Sequence, residues 1–268
     1  MYTNRMLYNY HAHTFRCGHA TGDERTYIET AIKAGIKRMG FSDHAPFMHD
    51  DGFQSGYRVQ LSTVKNYFDT LTALREEYKD KIEIYMGFEI EYYYPYFDKM
   101  VKYALDMGAE FFILGQHHID TDRYDGKDEY KFVNVFEPSS NEEDLTNFVN
   151  AVINAVKSGY ISYVAHPDVF NFTGDVNVYK RESARLLKAC KEYNVPVEIN
   201  CLGIRTNRHY PRKEFWELAG EIGTPVVVGI DAHDEFATYD DATLRVVNLL
   251  IRTYNLNFIK DFKPKLLK

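Results

Sequence analysis

Histidine, a common ligand of transition metals, is clustered near the start of this chain. Three of the ten histidines, His11, His13 and His19, fall within the stretch NYHAHTFRCGHA. Because side chains alternate between the two faces of a strand, His11 and His13 point the same way if this stretch is extended. An isolated His-x-His pair is more often two hydrogen-bonded histidines than a metal site, so its meaning depends on the rest of the chain.

Seven short segments rich in apolar residues predict β-strands, and six of them end beside a histidine or an acidic residue. The predicted strands cover residues 6–11, 38–42, 82–89, 111–115, 162–165, 196–200 and 225–230. The ionisable residues at their carboxyl ends are His11, His13, Asp43, His44, Glu89, His117, His118, His166, Asp231 and His233. Each one alone is better explained as a loop or rim residue, but their joint placement favours a metal-binding centre.

The segments between these strands show helical periodicity, which indicates repeated β-α-β units. The predicted helices cover residues 23–35, 64–78, 95–108, 141–159, 178–194, 212–223 and 240–254. We predict an α/β fold in which seven or eight units close a barrel, with an open doubly wound sheet as the alternative. In such barrels the active site lies at the carboxyl ends of the strands. Because no linker or low-complexity run is present, residues 1–268 are predicted to form a single domain.

Composition narrows the possible partners of the chain. The formal net charge of −7 argues against a role in coating nucleic acid, whose phosphate backbone demands clustered lysine and arginine. No apolar stretch is long enough for a secretion signal or a membrane span, so no membrane partner is expected. The three cysteines form no Cys-x-x-Cys pair, which fits the reducing cytoplasm.

Imidazole and carboxylate ligands without thiolate suit Zn²⁺, Mn²⁺, Fe²⁺ or Co²⁺. A single catalytic zinc needs about three protein ligands, whereas this chain offers about nine, so two or three ions are predicted. Glu89 and Asp231 are the natural bridging carboxylates. Clustered divalent ions activate water and neutralise charge on the attacked group, and phosphate esters are the substrates that most need this neutralisation.

The same residues carry a resemblance to a known family. The phrases HTFRCGHA, GFSDHAP, GFEIEY, AHPD and GIDAH resemble the polymerase and histidinol phosphatase (PHP) family, in particular its histidinol-phosphate phosphatase branch. The resemblance implies a distorted (β/α)7 barrel with a trinuclear metal centre. Its ligand sets, carried over, are His11, His13, Glu89 and Asp231 for the first ion, Glu89, His117 and His166 for the second, and His19, His44 and His233 for the third.

The resemblance also implies a reaction, the hydrolysis of L-histidinol phosphate to L-histidinol and phosphate in histidine biosynthesis. It implies direct attack by a metal-bridging hydroxide, with Asp231, Glu89 and His233 as the catalytic residues. Asp231, or a metal-bound water, would then protonate the leaving alkoxide.

Arginines are expected to bind the phosphate of this small-molecule ester, since their fork of N–H donors matches phosphate oxygens. Arg205 is the first candidate and Arg16 the second, whereas Arg208 and Arg212 are assigned to surface ion pairs. His118 is expected to face the substrate, with His117 as the ligand, although a shift of one residue in register would exchange their roles. His49 and His209 match no ligand position and are assigned to loops.

Three other functions fit parts of the pattern. A PHP phosphoesterase acting on nucleotides or short oligonucleotides keeps the chemistry and changes the substrate. An amidohydrolase also opens with His-x-His, but its fourth strand normally ends in a carboxylated lysine, where this chain has Gln116-His117-His118. A non-enzymatic metal-binding module predicts missing ligands, and none is missing.

Overall fold

A curled parallel β-sheet forms the centre of the molecule. The computed structural model describes residues 6–94, 96–123, 132–238 and 240–267. The strands are β1 (Tyr8–Asn9), β2 (Arg38–Phe41), β3 (Glu83–Ile90), β4 (Phe111–Leu114), β5 (His118–Asp120), β6 (Phe132–Asn134), β7 (Ile161–Val164), β8 (Val197–Asn200), β9 (Pro225–Gly229) and β10 (Asn257–Phe258). Eight of them are parallel neighbours in the order β1-β2-β3-β4-β7-β8-β9-β10, while β5 and β6 form a separate antiparallel hairpin.

Helices follow most of the strands and cover the sheet. They are α1 (Glu24–Ala34), α2 (Val64–Tyr78), α3 (Phe97–Met107), α4 (Glu142–Lys157), α5 (Val176–Glu192), α6 (Cys201–Arg205), α7 (Lys213–Ile222) and α8 (Asp241–Thr253). The first begins at Asp23, whose side chain accepts a hydrogen bond from the Thr26 N–H, and ends at Gly35, which takes the left-handed conformation at φ 79°. None of the helices in the described ranges is long and apolar enough to cross a membrane.

The sheet curls so that the chain following β1, at one edge of the sheet, is hydrogen-bonded to the chain following β9 near the other edge. The His13 N–H donates to the Ala232 carbonyl at 2.8 Å, and the Ala232 N–H donates to the His11 carbonyl at 3.3 Å. All residues of β2, β4, β7, β8 and β9 are buried, as expected for parallel strands covered on both faces. The prediction of an α/β fold with a curled parallel sheet is confirmed.

One strand of the sheet lies outside the seven predicted segments. Among the described residues the sheet has eight strands, within the predicted seven or eight units, and the additional one is β10, which pairs with Pro225 and Val226 of β9. A strand of two residues is too short to leave a periodic pattern in the sequence. The sequence pattern also does not predict the hairpin of β5 and β6 or the short helix α6.

Candidate metal centre

The predicted ligands converge at the carboxyl ends of the strands. His11 and His13 follow β1, His44 lies three residues after β2, and Glu89 is the penultimate residue of β3. His117 follows β4 by three residues. The ends of β7 and β9 supply the remaining members, His166, Asp231 and His233. The fold therefore brings together side chains that are more than 200 residues apart in the sequence.

Glu89 lies at the centre of this group. His166 Nε2 lies 2.9 Å from its Oε1, and His44 Nδ1 lies 3.0 Å from its Oε2. Three further imidazoles approach the same carboxylate at 3.4–3.6 Å, those of His11, His13 and His117. A carboxylate with ring nitrogens on every side is placed to bridge cations.

Asp231 is a second carboxylate that several histidines of the group surround. Its Oδ1 lies 3.4 Å from His11 Nε2, 3.3 Å from His13 Nε2 and 3.4 Å from His233 Nδ1. Its other oxygen accepts a hydrogen bond of 3.0 Å from the Asn200 side chain. His11 and His13 thus contact both Glu89 and Asp231, so the two carboxylates belong to one cluster.

Four sets of these side chains have ligand atoms within 4.8 Å of one another, close enough to share an ion. They are His11, His13 and Asp231; His11, Glu89 and His166; His44, Glu89 and His117; and His13, His44 and His233. His19 adjoins the last set, because its Nε2 lies 3.1 Å from His233 Nε2. The predicted grouping around three ions is compatible with this geometry, although His44 lies beside both the second and the third set.

The hydrogen bonding of the cluster fits metal binding. Eight buried nitrogen and oxygen atoms on His11, His13, His44, Glu89, His166 and Asp231 have no hydrogen-bond partner. Burying polar atoms without partners costs free energy, so such a concentration needs a ligand. Divalent cations would satisfy the carboxylate oxygens and one ring nitrogen of each histidine.

Burial and neighbouring groups shift the pKa values of several side chains in the cluster. Burial and the neighbouring His233 and His44 hold the pKa of His13 well below its usual range. Burial lowers the pKa of His44 to about 3. Burial alone would raise the pKa of Glu89, but His44, His117 and His11 leave it well below its ordinary value. His13 and His44 beside an ionised Glu89 therefore have the protonation states in which these groups bind metal, whereas neighbouring carboxylates raise the pKa of His11 and His166.

Two of the predicted ligands have an unusual backbone conformation. His166 has φ 53° and Asp231 has φ 50°, in the left-handed region that residues with a side chain seldom adopt. After His166 the chain is held by Asp168, which accepts hydrogen bonds from the Trp216 indole at 2.9 Å and from the Arg212 backbone N–H at 2.6 Å. Strained backbone at a functional site persists when the surrounding structure holds it in place.

Two buried carboxylates contact predicted ligand histidines at the ring nitrogen that faces away from Glu89. Glu198 Oε2 lies 2.9 Å from His11 Nδ1, and Glu91 Oε1 lies 3.0 Å from His117 Nδ1. Such partners fix the ring orientation and the tautomer of a ligand histidine. The sequence holds a signal for both, since Glu91 is two residues beyond Glu89 and Glu198 is two before Asn200, a spacing that keeps side chains on one face of a strand.

A cavity of about 890 Å³ opens onto the cluster. Its lining residues outside the predicted ligands are Tyr57, His118, Asn134, Phe136, Leu202, Arg208, His209 and Tyr210. Arg208 is the one arginine among them; it donates to the Tyr210 hydroxyl at 3.0 Å, and its guanidinium lies 5.4 Å from the centre of the Phe136 ring. The sequence pattern predicts a surface ion pair for Arg208 and only a loop position for His209, so it misses both as cavity residues.

The two arginines first considered for the phosphate do not line this cavity. Arg16 turns toward the outer helices, where it pairs with Glu24 and donates to Asn66 at 2.8 Å and Thr70 at 3.2 Å. Arg205 donates to the Asp231 backbone carbonyl at 3.4 Å and lines a neighbouring cavity of about 600 Å³. His118, by contrast, does line the main cavity, and it stacks on Phe132 with ring centres 5.0 Å apart.

The curled parallel sheet, with histidines and carboxylates clustered at its carboxyl end, defines an α/β barrel with a candidate metal-binding site. The PHP domain family model matches residues 9–201. The chain belongs to the PHP domain family, as the sequence motifs indicate.

Individual relatives agree with this assignment. A Deinococcus radiodurans protein named "Probable histidinol-phosphatase" is 26% identical over 230 residues, covering 83% of this chain and 85% of the relative. A Caldanaerobacter subterraneus protein named as a probable phosphatase is 28% identical over 237 residues, covering 85% of this chain and 77% of that protein. The fold is similar to that of the histidinol phosphate phosphatase of Lactococcus lactis, whose crystal structure contains zinc, L-histidinol and phosphate. The TM-score is 0.71 at 20% identity, and 94% of this chain and 95% of that chain are covered.

Proposed function

We propose that this protein is a metal-dependent phosphatase that hydrolyses L-histidinol phosphate to L-histidinol and phosphate. The observation that carries the proposal is the set of unpartnered imidazole nitrogens and carboxylate oxygens at one end of a cavity that also contains a cation, Arg208. The names of the Deinococcus radiodurans relative and of the Lactococcus lactis structure support the choice of substrate.

Two or three divalent transition metal ions, zinc, manganese, iron or cobalt, fit the donor set. The residues that would hold them are His11, His13, His19, His44, Glu89, His117, His166, Asp231 and His233. When bound, such ions activate water and stabilise negative charge on the phosphoryl oxygens. Asp231, or a water on the ions, is the proposed proton donor to the leaving alkoxide, and the Asn200 side chain donates a hydrogen bond to Asp231 Oδ2 at 3.0 Å.

Arg208 is the proposed phosphate-binding arginine, in place of Arg205 and Arg16. It lies in the cavity wall, whereas Arg205 is turned to the Asp231 backbone. Phe136, Tyr57 and His118 supply an aromatic and hydrogen-bonding wall of the kind that an imidazole ring needs. The three free and buried cysteines support the proposal of a reducing cytoplasmic location.

A substrate panel tests the proposed reaction. Purified protein is expected to contain two to three equivalents of transition metal and to hydrolyse histidinol phosphate with a kcat/KM far above that for nucleotides or generic phosphate esters. Comparable kcat/KM values across the panel would reject histidinol phosphate as the substrate. Active protein shown to be free of metal would reject the metal-dependent reaction itself.

Two arginine variants test how the phosphate is bound. Arg208→Ala is expected to raise KM for histidinol phosphate at least tenfold, since loss of a charge-assisted hydrogen bond costs about 1.5–3 kcal/mol. Metal content should stay unchanged. Arg205→Ala is the comparison variant, with a smaller effect on KM. The opposite ranking would return the phosphate role to Arg205.

A further inference from the structure

A buried arginine outside the proposed ligand set connects the loop after β2 with the metal centre. Arg58 is 1% exposed and lies on the loop between β2 and α2. Its Nη2 donates to Glu91 Oε1 at 2.7 Å, its Nε donates to Asp122 Oδ2 at 2.6 Å, and its Nη1 donates to the Ala45 carbonyl at 3.2 Å. One guanidinium therefore joins two buried carboxylates that come from different parts of the fold.

Glu91 carries this connection to a proposed metal ligand. Its Oε1 lies 3.0 Å from His117 Nδ1, and its Oε2 accepts a hydrogen bond from the Tyr93 hydroxyl. With Nδ1 held in this way, His117 presents Nε2 toward Glu89, 3.6 Å away. The tautomer and ring angle that suit metal binding thus depend on the position of the Glu91 carboxylate.

Asp122 carries the connection in the other direction, to the loop itself. Its carboxylate contacts His49 Nε2 at 2.7 Å and accepts a hydrogen bond from Ser55 Oγ at 2.8 Å. Tyr57, which lines the cavity, lies two residues after Ser55 and directly before Arg58. The loop is therefore fixed by the same guanidinium that fixes Glu91.

The charge balance explains why an arginine is needed. Glu91 and Asp122 are both buried, and an ionised carboxylate without a partner is strongly disfavoured in such surroundings. The planar fork of arginine can bind two carboxylates in fixed directions, whereas a lysine ammonium is a single point of charge. Without Arg58, the Glu91 carboxylate would lose the guanidinium that fixes its position and would no longer hold the His117 ring in place.

We propose that Arg58 is a positioning residue for the metal centre, acting on His117 through Glu91 and tying the loop after β2 to metal binding. This inference rests on the proposed metal-dependent function. It assigns a role to the loop after β2, a segment that supplies none of the proposed ligands after His44.

Zinc titration of the metal-free protein tests this role. Affinities are measured by competition with a chromophoric chelator for the wild type, Arg58→Met, Arg58→Lys and the control Arg25→Met. Arg25 forms a pair with Glu77 in which both side chains are about half exposed, so its loss removes an arginine ion pair outside the cavity lining. Arg58→Met is expected to weaken one zinc equivalent about 10- to 100-fold, the effect typical of losing an outer-sphere partner, and to leave the others unchanged. Arg58→Lys should weaken the same equivalent less, and Arg25→Met should have no effect.

A spectroscopic signature separates positioning from a general loss of stability. The visible absorption of the Co²⁺-substituted protein should change in Arg58→Met and not in Arg25→Met, because only the former alters a ligand angle. Unchanged zinc affinity and Co²⁺ spectrum in Arg58→Met, even with a lower melting temperature, would overturn the proposal. If Arg58→Met does not fold, wild-type zinc affinity in Arg58→Lys would overturn it. A wild-type protein that binds none of zinc, manganese, iron and cobalt would instead refute the proposed function.

Discussion

The amino and carboxyl ends of the parallel strands differ in how their buried polar groups are hydrogen-bonded. At the amino end, the hydroxyls of Tyr8 and Tyr10 donate to the carbonyls of Ile259 and Phe262, each at 3.0 Å. These carbonyls belong to the segment that follows β10 and covers this end of the sheet. At the carboxyl end, ring nitrogens and carboxylate oxygens of the predicted ligands have no hydrogen-bond partner among the described residues.

The difference separates stability from function along the strands. A polar group paired within the protein contributes modestly to folding, whereas an unpaired buried one opposes it. Tyr8 and Tyr10 are therefore satisfied without any ligand, whereas the proposed ligands at the carboxyl end would be satisfied by the ions that they bind. This division matches the general pattern of α/β barrels, in which one end of the sheet serves stability and the other serves catalysis.

Metal removal gives the largest expected difference between the two ends. Chelation should reduce kcat for histidinol phosphate by about 10³-fold or more, equivalent to roughly 4 kcal/mol of transition-state stabilisation. The far-UV circular dichroism should stay unchanged, because the sheet and its amino end do not use the ions. The melting temperature should fall and recover with zinc, since a ligand held at about 1,000 times its Kd stabilises the folded state by roughly 4 kcal/mol. Loss of secondary structure on chelation would show that the two ends are not independent.

A substitution of Glu198 tests how the carboxyl end supports metal binding, because Glu198 contacts the proposed ligand His11 and is not itself a proposed ligand. Glu198→Gln keeps an oxygen for the His11 Nδ1–H but removes the charge, so metal affinity should fall about 10- to 100-fold. Activity should drop at limiting zinc and largely recover at saturating zinc. Glu192→Gln, at the exposed end of α5, is the matched control and should behave as the wild type. A defect in Glu198→Gln that zinc does not restore would place Glu198 in the reaction rather than behind it.

The sequence predicts the carboxyl end better than the amino end or the cavity wall. Strand ends and period-two alternation are local signals, so the sequence alone is enough to place His11, Glu89 and Asp231 at one edge of a sheet. The amino end depends on β10 and the residues after it, which pair too briefly to form a pattern. Long-range packing, rather than local periodicity, decides how that segment runs.

Arginine positions show the same limit. Phosphate chemistry calls for a guanidinium near the metal centre, but sequence alone does not give the direction of a long side chain. Arg16 is drawn outward by Glu24, and Arg205 is drawn to the Asp231 carbonyl. Arg208 and Arg58 lie on loops without periodicity, so only the tertiary structure shows that one lines the cavity and the other lies behind it.

Tyr10 provides the smallest and most discriminating test, because it is adjacent in sequence to the proposed ligand His11. Tyr10→Phe removes the donor to the Phe262 carbonyl and should lower the free energy of unfolding by about 1 kcal/mol. Its kcat/KM and zinc affinity should equal those of the wild type, since phenylalanine keeps the ring and only the hydrogen bond to the Phe262 carbonyl is lost. Tyr85→Phe, which removes a hydroxyl bonded to the exposed end of Glu83, controls for loss of a tyrosine hydroxyl and should change stability by less than about 0.5 kcal/mol. Weaker zinc binding in Tyr10→Phe would mean that the two ends are coupled through β1, and the separation of stability from function would then fail at the point where the two are only one residue apart.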